Sequence, residues 1–100
     1  MIIRGTTPVQ TFELPESLEN CKFTITYKQQ GNVIFKRTHE DCAISDNIVT
    51  VNLTQNETLM LIENEIVEIQ FKIRNFEGNI FASDIINDMV YRILDEEPIE

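Results

Sequence analysis

The sequence predicts an all-β fold, an antiparallel sandwich of about seven short strands, and three observations predict it. Apolar and polar residues alternate with period two in CKFTITYKQ and EIVEIQFKIRN, the signature of a half-buried strand. Turn-forming residues recur every ~8–12 positions, the spacing of strands joined by short connections. The 100 residues are 42% hydrophobic, enough for one core in one domain without disulfide or metal staples.

The elements follow in order. TPVQTFEL carries Val9, Phe12 and Leu14 and reads as an opening strand. Pro8 and Pro15 bracket it, which suits a sheet edge where missing N–H donors do no harm. In CKFTITYKQ, Phe23, Ile25 and Tyr27 alternate with Lys22, Thr24, Thr26 and Lys28. Gln30-Gly31-Asn32 supplies the positive-φ turn and VIFKRT the return strand, so residues 21–38 form a hairpin. CAIS is a short strand, Asp46-Asn47 a turn, and IVTVNL a strand with Val49, Val51 and Leu53 on one face. The clearest strand is EIVEIQFKIRN. Val67, Ile69, Phe71 and Ile73 face one way, Glu68, Gln70, Lys72 and Arg74 the other. Glu77-Gly78-Asn79 then turns the chain into IFASDI. Residues 85–94 fit a helix through Ile86, Met89, Val90 and Ile93, and a strand through Met89, Tyr91 and Ile93. Their β-branched and aromatic content favours the strand. Residues 1–94 make the domain, and the acidic tail 95–100 is expected to fray.

Between Leu53 and Glu65 lie too many residues for a hairpin turn. Asn52-Leu53-Thr54 and Asn56-Glu57-Thr58 match the glycosylation sequon, while Thr54-Gln55-Asn56-Glu57 matches a helix-capping box. MIIRGTTPVQ has neither the apolar stretch nor the cleavage site of a signal peptide, so the sequons read as coincidental. The segment reads instead as a connector that winds a short helical turn over residues 55–61. Thr54 caps it, Glu57 reaches back, and Leu59 with Leu61 or Met60 plugs the open end. Immunoglobulin-like sandwiches cross between sheets in this way.

Seventeen acidic residues against eight basic ones give a formal charge of −9. That field repels phosphate backbones and anionic headgroups, so neither nucleic acid nor membrane is expected as a partner. Cys21 and Cys42 are expected to stay reduced.

Residues able to carry chemistry are sparse. His39-Glu40-Asp41-Cys42 looks like a ligand cluster, but neighbours in an extended chain point to opposite faces. It reads as a polar hairpin end. There is a single His, and the three glycines form no phosphate cradle. The acidic tail lacks the spacing of a calcium loop. Phe12, Phe23, Tyr27, Phe35, Phe71 and Phe81 read as core. The expectation is a protein without enzymatic activity, cofactor, metal or small-molecule substrate.

RGTTPVQTFELP at residues 4–15, KFTITYKQQGNVIFKRTHEDC, VTVNLTQNETL and VEIQFKI together resemble a family of small prophage proteins of Gram-positive bacteria. LTQNET followed by VEIQ is the most distinctive part. In strand pattern the chain is also similar to the immunoglobulin-like N-terminal domain of phage baseplate upper proteins. The resemblance implies a structural or assembly component of a tail or baseplate, acting by protein–protein contact or self-association. Its place would be the cytoplasm of the bacterial host or the virion. The other reading is a soluble acidic binder or inhibitor directed at the host. The assembly reading places contact along the opening strand, at Val9, Thr11 and Glu13, while the host-directed one would use an acidic face; Phe76, an aromatic on a turn, is a further candidate contact.

Overall fold

Every segment with period-two patterning is a strand. The computed structural model describes all 100 residues and has nine strands. These are β1 (Ile2–Ile3), β2 (Val9–Glu13), β3 (Lys22–Gln29), β4 (Asn32–Thr38), β5 (Ala43–Ser45), β6 (Ile48–Asn52), β7 (Ile66–Arg74), β8 (Ile80–Ala82) and β9 (Ile86–Tyr91). One helix, α1 (Gln55–Leu59), and a 3₁₀ turn at His39–Asp41 complete the chain. The segment open to two readings is therefore a strand, β9.

Turn chemistry sets the register. Gln30 and Gly31 have φ of 51° and 78°, the two left-handed positions of a two-residue hairpin turn, and Gln29 pairs with Asn32 across them. A bulge after Tyr27 shifts the pairing from Phe35 to Val33. Asp46, at φ 54°, turns β5 into β6.

The large sheet has the order β1-β9-β7-β3-β4, with β8 also on β7; the small sheet has the order β2-β6-β5. They form the all-β sandwich. One departure from the expected antiparallel pattern is β1, which pairs parallel with β9 through Ile2↔Val90 and Ile3↔Tyr91. Ile2 is fully buried there, although its short apolar run carries no alternation to announce a strand.

The chain changes sheets four times, at β1–β2, β2–β3, β4–β5 and β6–β7, and the last two connectors carry helical turns. The first of these is the 3₁₀ turn between β4 and β5. His39-Glu40-Asp41 is thus one tight turn and not the extended segment expected; Asp41 caps it, accepting from the Thr38 N–H at 3.2 Å. The second connector is α1. Thr54 Oγ1 accepts from Glu57 N–H at 3.1 Å, and Glu57 accepts from Thr54 N–H at 2.9 Å. The capping box is real and the crossover helix starts on it. Leu61 is buried while Met60 is exposed, so Leu61 is the plug. The Gln29 side chain, also fully buried, bonds both the N–H and the C=O of Ile62, at 2.7 and 3.0 Å. A buried amide satisfied on both ends costs little and fixes the crossover to β3.

The core lies between the sheets. Phe23, Ile25, Tyr27, Val67, Ile69, Phe71 and Ile73 come from the large sheet, and Phe12, Leu14, Val49, Val51 and Leu53 from the small one and its flanks. Two expectations fail at the margins. Phe81 is exposed, because it lines an open cavity beside Leu14 and Leu18 instead of lying under the small sheet. The acidic tail is tied rather than frayed: Glu96 pairs with Arg4 at 2.5 Å, and Ile99 exchanges two backbone bonds with the Gln55 amide.

Candidate functional site

β2 pairs with β6 on one side only. Two bonds bracket this ladder: Leu14 N–H donates to Asn47 C=O at 2.9 Å, and Leu53 N–H donates to Pro8 C=O at 3.1 Å. Antiparallel pairing alternates, so Gln10 and Phe12 also turn their backbone groups toward β6. The N–H and C=O groups of Val9, Thr11 and Glu13 therefore point to the open edge. Their side chains are exposed as well, Val9 by 63%. Gln10 faces inward instead, its Oε1 accepting from the Tyr27 hydroxyl at 2.6 Å. The outward residues are thus Val9, Thr11 and Glu13.

Beside this edge the sandwich stands open. One cavity of ≈ 310 Å³ is lined by Val9, Phe12, Ile69, Ile86 and Asp88; another of ≈ 450 Å³ by Glu13, Leu14, Leu18, Ile73, Phe81 and Ile86. Ile86 lines both, so they are two halves of one seam between β2 and the β8–β9 edge. That edge is itself broken. Ser83 sits where β8 stops pairing with β7, and its hydroxyl accepts from Phe71 N–H at 3.0 Å. The seam's floor is apolar and its rim acidic, with Glu13, Glu16, Asp84 and Asp88 along it. Such a groove fits an extended peptide whose alternate side chains drop inward while its backbone pairs with β2.

Phe76 is elsewhere. At 80% exposure it sits on the β7–β8 loop beside Lys22 and Arg74. The structure unites three of the four expected contact residues and leaves this one apart.

Polar chemistry in the interior is structural. The Arg37 guanidinium meets Glu57 through two bonds of 2.6 and 2.7 Å and donates to Asn52 C=O at 2.7 Å. These bonds hold the Glu57 carboxyl below its ordinary range. Phe35 stacks on Tyr27 at 4.3 Å, and burial raises the Tyr27 hydroxyl's pKa. His39 lies 3.9 Å from Glu40, and no group of three metal-ligating side chains converges.

Cys21 and Cys42 are unpaired. Burial raises the Cys42 pKa, which keeps it a thiol at neutral pH. Titration of denatured, unreduced protein is expected to count two thiols, and a count of none would show a disulfide.

No helix is long and apolar enough to cross a membrane. Comparisons with protein families, characterised proteins and solved structures found no match to this chain.

Proposed function

We propose that the protein is a non-enzymatic assembly module, a structural component of a phage tail or baseplate, that docks by strand addition to β2. The observation that carries the docking mode is the open edge: three residues with unpaired backbone groups beside an apolar seam. Natural sheets guard such edges with lysine, proline or bulges. Here the prolines stand only at 8 and 15, and no lysine lies between them. The phage assignment rests on the sequence resemblance. An acidic seam rim also favours a strand that carries basic residues on its flanks.

Thr11→Pro tests the docking mode. Its N–H faces the open edge, so proline there deletes a docking donor and leaves the β2–β6 ladder whole. Light scattering at low and physiological salt is expected to show a dimer or larger species, strengthened by salt because the −9 charge is screened. Thr11→Pro should return it to monomer. An unaltered oligomer in the variant would place the contact elsewhere, and a wild-type monomer at every salt would leave the edge to a foreign strand. Sedimentation with purified phage particles tests the tail or baseplate role; protein that stays wholly free in the lysate counts against it.

A further inference from the structure

The large sheet's outer face carries Lys22 and Lys28 from β3, Lys36 from β4, and Lys72 and Arg74 from β7. Five of the chain's eight cations thus lie on one face of an acidic protein. Of the others, Arg4 and Arg37 hold ion pairs. None of the five makes a salt bridge within 4.0 Å or a side-chain hydrogen bond.

Their arrangement works against the fold. Lys22 and Arg74 are direct cross-strand partners, and Lys72 is the next outward residue along β7 from Arg74. Like charges set directly opposite each other destabilise a sheet. With seventeen acidic side chains in the chain, the carboxylates near these cations are Glu68, opposite Lys28, Glu40, at the margin, and Glu77, on the loop beside Lys22 and Arg74, and none of them forms an ion pair with the five. Thr24 and Thr26 fill positions between and offer their hydroxyls as donors, while the Thr38 hydroxyl already donates to Asp41 at 3.2 Å. Lys22, Lys36, Lys72 and Arg74 line a shallow trough of ≈ 630 Å³ that also takes in His39 and Ile80.

We propose that this plate is a second docking surface, separate from the β2 seam, and that it takes an acidic segment of a protein partner. Carboxylates laid over the trough would relieve the repulsion between Lys22 and Arg74 and accept from the threonine hydroxyls. Six residue steps separate Lys22 from Lys28, which gives the plate a length of about 20 Å. That length suits a short extended peptide. A nucleic acid is the poorer fit, because its phosphates continue past the plate onto an acidic surface. The plate offers bases no row of aromatics, only Phe76 at one corner. At physiological salt the screening length is about 8 Å, so the distant carboxylates of the chain do not cancel the plate locally.

A labelled twelve-residue peptide of alternating glutamate and alanine is the probe, with a twelve-nucleotide oligothymidine as competitor. The full chain is expected to bind the peptide at low salt and to lose it as salt rises. The triple variant Lys22→Gln, Lys72→Gln, Arg74→Gln should bind about tenfold more weakly or worse, three screened charge contacts being lost. Its melting temperature should match or exceed the wild type's, since a repulsion is removed, which separates lost binding from lost folding. Arg37 and Glu57 stay untouched in this variant, and Lys22→Arg with Lys72→Arg should retain binding. Equal affinity in the triple variant, absence of peptide binding at low salt, or tighter binding of the oligothymidine would each overturn the proposal. Thr11→Pro should leave peptide binding intact, so failure of the edge and failure of the plate remain distinguishable.

Discussion

Phe71→Ala is expected to destabilise the protein by about 3–5 kcal/mol, the cost of deleting a large aromatic from a core that cannot collapse around the void. Phe71 is fully buried at mid-length in β7. Its ring meets Phe12 edge-on at 5.2 Å, across the gap between sheets, and tilts against Phe23 at 5.4 Å within the large sheet. It therefore joins three strands and both layers, and alanine would strand Phe12 without its partner. Lys72→Ala and Glu68→Ala, on the opposite face, should stay within about 0.5 kcal/mol of wild type. Urea unfolding curves measure all three, and equal midpoints would mean that the inside and outside assignments along β7 are wrong.

The second large effect is expected at Glu57, where Glu57→Ala should cost about 3 kcal/mol or more. Two independent losses meet in this one carboxylate. Removing the reciprocal capping-box bond, from Thr54 N–H to the carboxylate, costs about 1 kcal/mol. Breaking a mostly buried charge pair costs more, because the partner is left uncompensated. The Arg37 and Glu57 side chains are only 13% and 16% exposed, so water replaces little of what is lost. Acid should act at the same place. The folded-state pKa of Glu57 lies below its ordinary value near 4.5, chiefly through the hydrogen bonds from Arg37. Its contribution is therefore complete above that value and disappears as pH falls through the lower, folded-state one. Thermal melts from pH 7 to pH 3 should show wild type losing this increment and Glu57→Gln not losing it. Parallel curves would show that the pair is not linked to acid unfolding.

Much of the fold was legible because period-two patterning and left-handed turn residues are local signals. β3 and β7 are read from alternation alone, the Gln30-Gly31 turn from residue type, and β4 as the return strand that this turn implies. The capping box placed α1 because both partners of the box lie within four residues of each other. β1 was not legible: two apolar residues have no period, and only a partner some ninety positions away makes them a strand. Phe81 misled for a related reason, since alternation says which side a residue faces but not whether the other layer extends far enough to cover it. On the candidate site, the edge character of β2 followed from its prolines. The inward turn of Gln10 did not, because it depends on a Tyr27 hydroxyl that only the assembled sandwich brings near. The Arg37–Glu57 pair and the cationic plate depend on register between distant strands. Alternation did place Lys22, Lys28, Lys72 and Arg74 on outward faces, but nothing local says that those faces are one.

The parallel pairing of β1 with β9 bears on how the chain acquires this shape over time. Ile2 cannot reach its neighbour Val90 until nearly the whole polypeptide exists, and the loop so closed is the longest closed by any strand pair. Closing long loops has an entropic cost before any contact is formed, which makes topologies of this kind slow, in the millisecond-to-second range. The β3–β4 hairpin, closed by two residues, is available far sooner. Pulse-labelled hydrogen exchange during refolding should thus protect the amides of β3 and β4 early. The Arg4 amide, which donates to Tyr91 C=O at 3.0 Å, should be protected last. Until it is, the outer edge of β9 lies bare, and a growing chain is most open to the wrong neighbour there.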